Sequence, residues 1–422
     1  MDETSLRGLL ERALVPEPPI GPVAYNSRRA GIKLRRRRRI RATAGGAAVL
    51  AVIAVAIPVV TGALGGTAAR RTGTAQAETI YVADNGAGTV TPISTITNMP
   101  GQPIRVARGT TAIAVTPDGK TIYVADWRAD TVTPITTATG TPGKPIKVGK
   151  TPDRIAITPN GQTAYVANFG SDTVTPITTA TNTAGKPIRV GGEPSAIAVT
   201  RDGKTVYVVN GVSHPGWGTV TPITTATNTA GKPIKVGGSP QTIAMTPDGK
   251  TAYVIGGSTV TPITTATSTP GKPIQVGLVQ DLSVRGANAI TPDGKTLYVA
   301  NPDSGTVTPI TTATGTPGMP IRVGRGPGAI AITPDGKTAY VASGVDHPGW
   351  GTVTPITTAT NTPGKPIRVG GDPSAIAVTQ DGKTAYVVSF TEGTVTPITT
   401  ATNTPGKPIK AGNEPFALVI AP

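Results

Sequence analysis

Two histidines, His214 and His347, are the only ones in 422 residues, and each opens the same pentapeptide, HPGWG. Rare imidazoles in matching places suggest a metal site or a catalytic pair. A metal needs both rings to converge on one point, a few ångströms from each. A Ser–His–Asp arrangement needs a hydroxyl within reach of the ring. Ser213 precedes His214, but Asp346 stands before His347, so the pairing is not kept. A recurring Asp in PDGK (Asp118, Asp248, Asp293, Asp335) offers carboxylates, yet Asn160 fills the same slot. That exchange is natural for a tight turn and not for acid–base chemistry. There is no Cys, so thiolate nucleophiles, Cys-ligated zinc, iron–sulfur clusters and disulfides are excluded. No glycine-rich phosphate loop is present. The sequence therefore predicts no catalytic residue, no metal and no cofactor.

The elements that carry these residues are repeats. The tetrad TVTPI recurs with its Pro at 92, 134, 176, 222, 262, 309, 355 and 397. Spacings of about 40–47 residues match a four-stranded propeller blade. Within one repeat, PSAIAVT (Pro194–Thr200), TVYVVN (Thr205–Asn210), TVTPITTA and KPIKV (Lys232–Val236) read as strands A to D, innermost first. PDGK is the A–B turn, and TNTAG or TNTPG joins C to D. The Pro of strand C forgoes one ladder hydrogen bond. The first repeat begins at strand B (Thr79–Asp84), and the chain ends in a strand A (Phe416–Ala421) that can complete it. The expected fold is all-β: a β-propeller of eight four-stranded blades closed by the C-terminal strand, preceded by one transmembrane helix. Seven blades is the alternative if the degenerate strand near Ala287–Thr291 fails to pair.

In such a ring the B–C and D–A loops share one face. The repeats vary mainly there: DWRAD (Asp126–Asp130), NFGSD (Asn168–Asp172), NPDSG (Asn301–Gly305), SFTEG (Ser389–Gly393), the two HPGWG copies and the long link Gly277–Gly286. The expected ligand-binding face comprises Trp127, Arg128, Phe169, His214, Trp217, Asp281, Arg285, His347, Trp350 and Phe390. Aromatics among Arg and polar loop residues are typical of recognition surfaces. The competing reading is that each ring packs on a neighbouring blade. His214 and His347 fall in blades 4 and 7, too far apart to share a metal. For an enzyme, the best titratable residues on this face are Arg154, Glu193, Asp281, Arg285 and Asp372.

Net charge is +16. Residues 1–43 hold eleven Lys/Arg and four acids, or +7, leaving +9 for the rest. LRRRRRIR abuts an apolar run, and no charge occurs from Ala42 to Ala69. About 20 apolar residues span a bilayer, and flanking cations stay on the cytoplasmic side. The expected organisation is a basic cytoplasmic segment (1–43), a signal anchor (44–65), a linker (66–77) and the propeller (78–422) outside. Cleavage near Ala77, after AQA, would instead release a secreted protein. Nucleic acid is disfavoured, because topology explains the arginine run.

YVAD, YVAN, the VGG-P link and PDGKTAYV recur in order over residues 78–422. They resemble the YVTN-repeat (YncE-like) β-propeller family of bacterial extracytoplasmic proteins. Thr136, Thr178 and Thr224 stand where that family often has Asp, so no role of that Asp carries over. The resemblance implies an exported propeller that binds or scaffolds something, without implying a reaction. The expected function is a membrane-anchored binding or scaffold module at the cell envelope. Its partner is a protein, a peptide or a cell-wall polymer on the B–C/D–A face. A lactonase-like hydrolase or lyase, or a wall-associated adhesive protein, is the alternative.

Overall fold

A computed structural model describes residues 78–214, 217–277, 287–347 and 350–422. The expected basic segment, anchor, linker and cleavage site, together with Asp281 and Arg285, lie outside the described residues, as do the side chains of His214 and His347.

The ring has eight blades. Strand A is innermost, followed by B and C, in every sheet. The A strands are Pro415–Ala421, Thr110–Val115, Pro152–Ile157, Pro194–Val199, Pro240–Met245, Asn288–Ile290, Pro327–Ile332 and Pro373–Val378 for blades 1 to 8. Each packs against the A strands of both neighbours, which closes the circle. Blade 1 is shared: Thr79–Asp84 pairs with Thr89–Ser94 on one side and with the C-terminal strand on the other. The strand near 287–291 does pair, though only over three residues.

Strand B is buried on both sides and therefore reads as a nearly continuous apolar run, for example TVYVVN in blade 4 and TLYVAN in blade 6. A single blade cannot bury these faces alone. Among the described residues, eight hydrophobic clusters form, one between each pair of neighbouring blades. The cluster between blades 1 and 2 is built from Val90, Ile122, Val124 and Phe416. The one between blades 8 and 1 closes the ring with Ile80, Val82, Val395 and Leu418.

Strand D differs from the expected single segment KPIKV. It is two short pieces, as at Thr229–Ala230 and Ile234–Gly237 in blade 4. The first pairs with the end of strand C and the second with its start. The cause is Pro222 between them. It has no N–H to offer, and its carbonyl is taken by Gly231 N at 2.7 Å. Lys232 and Pro233 then bulge past, and the ladder resumes at Ile234.

The PDGK acids are turn formers. Asp118 Oδ1 accepts from Thr116 Oγ1 at 2.6 Å and from Lys120 N at 3.1 Å. The same pair of bonds recurs at Asp202, Asp248, Asp293, Asp335 and Asp381. Blade 1 has no such turn, and Glu78 stands just before its strand B. Its carboxylate accepts the Gln380 N–H of blade 8 at 3.0 Å.

A second girdle crosses every interface. The third residue of strand B is Tyr in all eight blades, and it faces the Pro of strand C in the ladder. Each hydroxyl reaches the C–D turn of the next blade. Tyr123 donates to Asn182 Oδ1 at 2.7 Å, Tyr165 to Asn228 at 2.7 Å and Tyr298 to Asn361 at 2.6 Å. Tyr386 closes the circle by donating to Asn98 of blade 1 at 2.7 Å. Burial pushes the hydroxyls of Tyr123, Tyr298, Tyr340 and Tyr386 up to about 12.

A folded-state value raised above the ordinary 10 favours the protonated, folded form. Stability is therefore fully present below pH 10 and is lost as pH climbs toward 12. Urea midpoints measured from pH 8 to 12 should fall over that window, and Phe at these four positions should flatten the fall. At pH 7, Tyr386→Phe should cost about 1 kcal/mol, the net worth of one hydrogen bond.

Candidate functional site

The B–C/D–A face is built where strand B ends. Its sixth residue is buried and, in seven blades, polar: Asp84, Asp126, Asn168, Asn210, Asn301, Ser343 and Ser389. Asn168 and Asn210 each hold two strand-C threonines through Nδ2, at 2.9–3.1 Å. Asp126 instead accepts Arg128 N at 2.6 Å and Ala129 N at 2.9 Å, which shapes the DWRAD loop. Acids at loop ends tie blades together: Asp130 Oδ1 accepts Thr151 N and Asp172 Oδ1 accepts Glu193 N, both at 2.8 Å.

The aromatic residues expected here are held by the protein itself. Trp217 lies under Lys235 Nζ at 4.3 Å, and Trp350 under the Arg368 guanidinium at 4.8 Å. Both cations come from strand D of the same blade. Trp127 carries Arg128 at 5.2 Å. Phe390 packs against the apolar cluster between blades 1 and 2, and Phe169 is buried. The three Trp remain half-exposed, each as a cation–aromatic pair.

HPGWG is not a loop insertion, as its position had suggested. Strand B runs on to His214 in blade 4 and to His347 in blade 7, and strand C starts at Trp217 and Trp350. His214 pairs with Trp217 and His347 with Trp350, after a register shift. The extension is a longer hairpin that brings each Trp opposite strand D, at Gly237 and Gly370. The two histidines stay three blades apart. Among the described residues no three His, Asp or Glu side chains come together in a metal-holding group.

The titratable residues weighed for catalysis divide. Arg154 is paired with its neighbour, donating from Nη1 to Asp153 O at 2.6 Å. Glu193 is a link residue in the left-handed conformation at φ 57°. Asp372 is different. It shares that link position (φ 50°), and one carboxylate oxygen, Oδ2, is buried with no protein partner. Glu392 Oε2 and Ser389 Oγ, in the same blade, are buried without protein partners as well. A side-chain carbon at Gly370 would sit 2.7 Å from Ser389 Oγ and 2.8 Å from Glu392 Oε2. Gly370 thus leaves room for both groups. Burial, and then the Glu392 charge, hold the Asp372 carboxyl above its usual range.

Blade 1 continues the pattern. Asp84 Oδ2 accepts Asn413 N, and Oδ1 accepts Ala87 N at 2.9 Å. Burial and the neighbouring Asp84 raise Glu414, while Arg128 lowers it. Burial raises Asp126 in blade 2. An arc of acids therefore runs over blades 8, 1 and 2. Of its five acids, the sequence singled out Asp372 alone as a titratable candidate, although Asp126 and Glu392 fall in the variable loops DWRAD and SFTEG. The described part of this face carries ten acids against five bases, a balance of −5.

A family model described as lactonase, 7-bladed beta-propeller, matches residues 76–186, which run from blade 1 into blade 3. No curated protein matches. Among solved structures, the chain is similar to hydrazine synthase of Kuenenia stuttgartiensis, at 24% identity and a TM-score of 0.56, covering 69% of this chain and 96% of that one. It is also similar to the dihydro-heme d1 dehydrogenase NirN, solved in complex with DHE, at 15% identity and a TM-score of 0.69, covering 81% of this chain and 74% of that one. Apo AztD from Citrobacter koseri aligns at 14% identity and a TM-score of 0.61, covering 82% of this chain and 98% of that one. These likenesses show the propeller fold.

Asp372 and Glu392 predict a pH-dependent signature. A carboxyl raised in the folded state contributes stability that is complete below its unfolded value, about 3.9 for Asp, and fades as pH rises through the folded value. Glu392→Gln removes the like charge. The Asp372 carboxyl should then titrate lower by carbon-detected NMR, and the urea midpoint should rise at pH 7 but not at pH 3. An unmoved Asp372 titration would show that the two side chains do not share a site.

Proposed function

We propose that this chain is a membrane-anchored, extracytoplasmic propeller of the YVTN-repeat type, a binding or scaffold module and not an enzyme. The observation that carries the reading is where the repeats are allowed to differ. Turn residues and the tyrosine girdle are nearly constant on the A–B/C–D face. Loop length, charge and aromatic content vary on the opposite face, where a rigid scaffold displays them. Half-exposed Trp, each pre-positioned by a cation of the same blade, can meet a partner at low entropic cost. The basic segment and apolar run at 1–65 support attachment to the membrane with the N-terminus inside. The partner of this face is a protein or peptide carrying cationic or aromatic groups, suited to its acidic balance.

A second reading has one observation in its favour. The lactonase family model matches residues 76–186, and Asp372 with Glu392 offers a carboxylate pair. If the protein were a hydrolase, a panel of lactones would be opened by the parent and not by the Asp372→Asn, Glu392→Gln variant.

For the binding reading, Trp127→Ala, Trp217→Ala and Trp350→Ala together should weaken capture of the face's partner by about 30-fold or more, the scale of an interface hot spot. Partners are first identified by pull-down on residues 78–422. Undiminished binding by a triple variant with an unchanged unfolding midpoint would refute the assignment.

A further inference from the structure

The net positive charge of the propeller comes from its rim. Residues 78–422 hold 26 Lys/Arg and 19 acids. Half of those bases lie on the outer strands. Lys144, Lys186, Lys232, Lys272, Lys365 and Lys407 precede the Pro of strand D in six blades. The residue after its buried Ile is basic in seven, from Arg105 in blade 1 to Lys410 in blade 8, with Gln275 the exception. All thirteen are exposed. From the end of strand C to the end of strand D no blade has an Asp or a Glu.

Among the described residues, none of the thirteen forms an ion pair. The lysines of the A–B turns behave otherwise. Each lies within 3.4–4.0 Å of the Asp of its own turn, so that face is close to neutral. Four rim cations are held toward the B–C loops, where Lys147 and Lys410 donate to loop carbonyls and Lys235 and Arg368 cover Trp217 and Trp350. Among the described residues, the six lysines before the Pro make no such contact.

Charged edge strands protect a sheet from pairing with other chains. That need is met by charge of either sign. It does not explain why acids are excluded from the rim of eight blades while nineteen occur elsewhere in the ring.

We propose that the rim is a binding belt for a flexible, base-free phosphodiester polymer, such as a polyol-phosphate chain. The belt curves around the whole ring, so a chain that bends freely can follow it. A flat anionic bilayer meets one side of it, and so does duplex DNA, which stays straight over about 150 base pairs. Single-stranded nucleic acid gains much of its affinity by stacking bases on aromatic rings. The outer strands have no Phe, Tyr or Trp. Each neutralised phosphate on a flexible strand contributes about 0.7 to the slope of log affinity against log salt. Blades 2, 3 and 4 are adjacent and each carries both basic positions, which makes them the strongest arc.

The test uses residues 78–422, whose ring closes without any residue outside that range. Two variants are compared, each replacing six lysines by Gln. One changes the rim lysines Lys144, Lys186, Lys232, Lys272, Lys365 and Lys407. The other changes the turn lysines Lys120, Lys204, Lys250, Lys295, Lys337 and Lys383. Both alter net charge equally. Binding to labelled poly(glycerol phosphate) should fall by about ten-fold or more in the rim variant at 0.1 M salt, with a shallower salt slope. The turn variant should stay within about three-fold of the parent, because each turn lysine already faces its own Asp. The triple Trp variant, which removes no rim charge, should bind the polymer like the parent, so this proposal can stand or fall apart from the loop-face reading. Equal losses in the two lysine variants would reduce the effect to net charge and overturn the belt. So would tighter binding to anionic vesicles, or to single-stranded DNA of the same phosphate number.

Discussion

A buried phenol must find a hydrogen-bond acceptor, and in this ring the acceptor belongs to the next blade. Strand B lies in the middle of its sheet, where a large ring fills the gap between blades, so Tyr suits its third position. The hydroxyl then emerges beside the neighbouring C–D turn. That turn needs a residue in the left-handed conformation, and Asn tolerates it while offering a side-chain carbonyl. Asn98, Asn182, Asn228, Asn361 and Asn403 all sit at φ 53–55°. Where Gly140 or Gly315 takes the position, only the conformational requirement is met, and Tyr81 and Tyr253 turn to the carbonyls of Thr137 and Thr312, at 3.3 and 3.0 Å. Ser268 is intermediate: its hydroxyl lies 2.9 Å from that of Tyr207, which also reaches the Thr265 carbonyl at 3.1 Å.

This constraint divides the surface. A C–D turn that must receive the neighbour's Tyr cannot drift, and the A–B turn packed beside it is fixed by its own Thr–Asp–Lys bonds. The same residues therefore recur on that face, and their charges cancel. The B–C and D–A loops carry fewer such duties. They have diverged in length and sign, and they are net acidic. The rim is constrained differently again: its buried Ile must point inward, and every other position is free to be charged. One repeat thus yields three surfaces, near-neutral, acidic and basic, from the separate packing requirements of its parts.

The period, the eight blades and the closing strand were legible because each repeat is self-similar and the first begins one strand late. The TVTPI proline was legible as a lost ladder bond. Its consequence was not, because splitting strand D depends on where the partner chain meets Pro222, a matter of register and not of propensity. HPGWG was misread as a loop for a related reason. Pro and Gly are turn signals, and nothing local shows that the residues on both sides continue the ladder. The acidic arc was hardest to see. Asp84 and Glu414 are 330 residues apart in the chain, and Asp372 and Glu392 are separated by two strands. Only closure of the ring sets these carboxyls along one arc.

The longer hairpins of blades 4 and 7 connect the two charged surfaces. Without the extension, strand C would begin at Thr219 or Thr352, as it begins at Thr173 in blade 3. With it, Trp217 and Trp350 stand opposite the end of strand D, and that strand lengthens to Gly237 and Gly370 to match. The added ring is then covered by a rim cation, Lys235 or Arg368. A cation over an indole keeps its charge while giving up part of its freedom. At these two blades, three apart around the ring, the basic rim is fastened to the edge of the acidic face. A ligand reaching over that edge would meet the indole and the cation together. The repetition of HPGWG is thus accounted for by where its Trp lands, with no chemistry asked of its His.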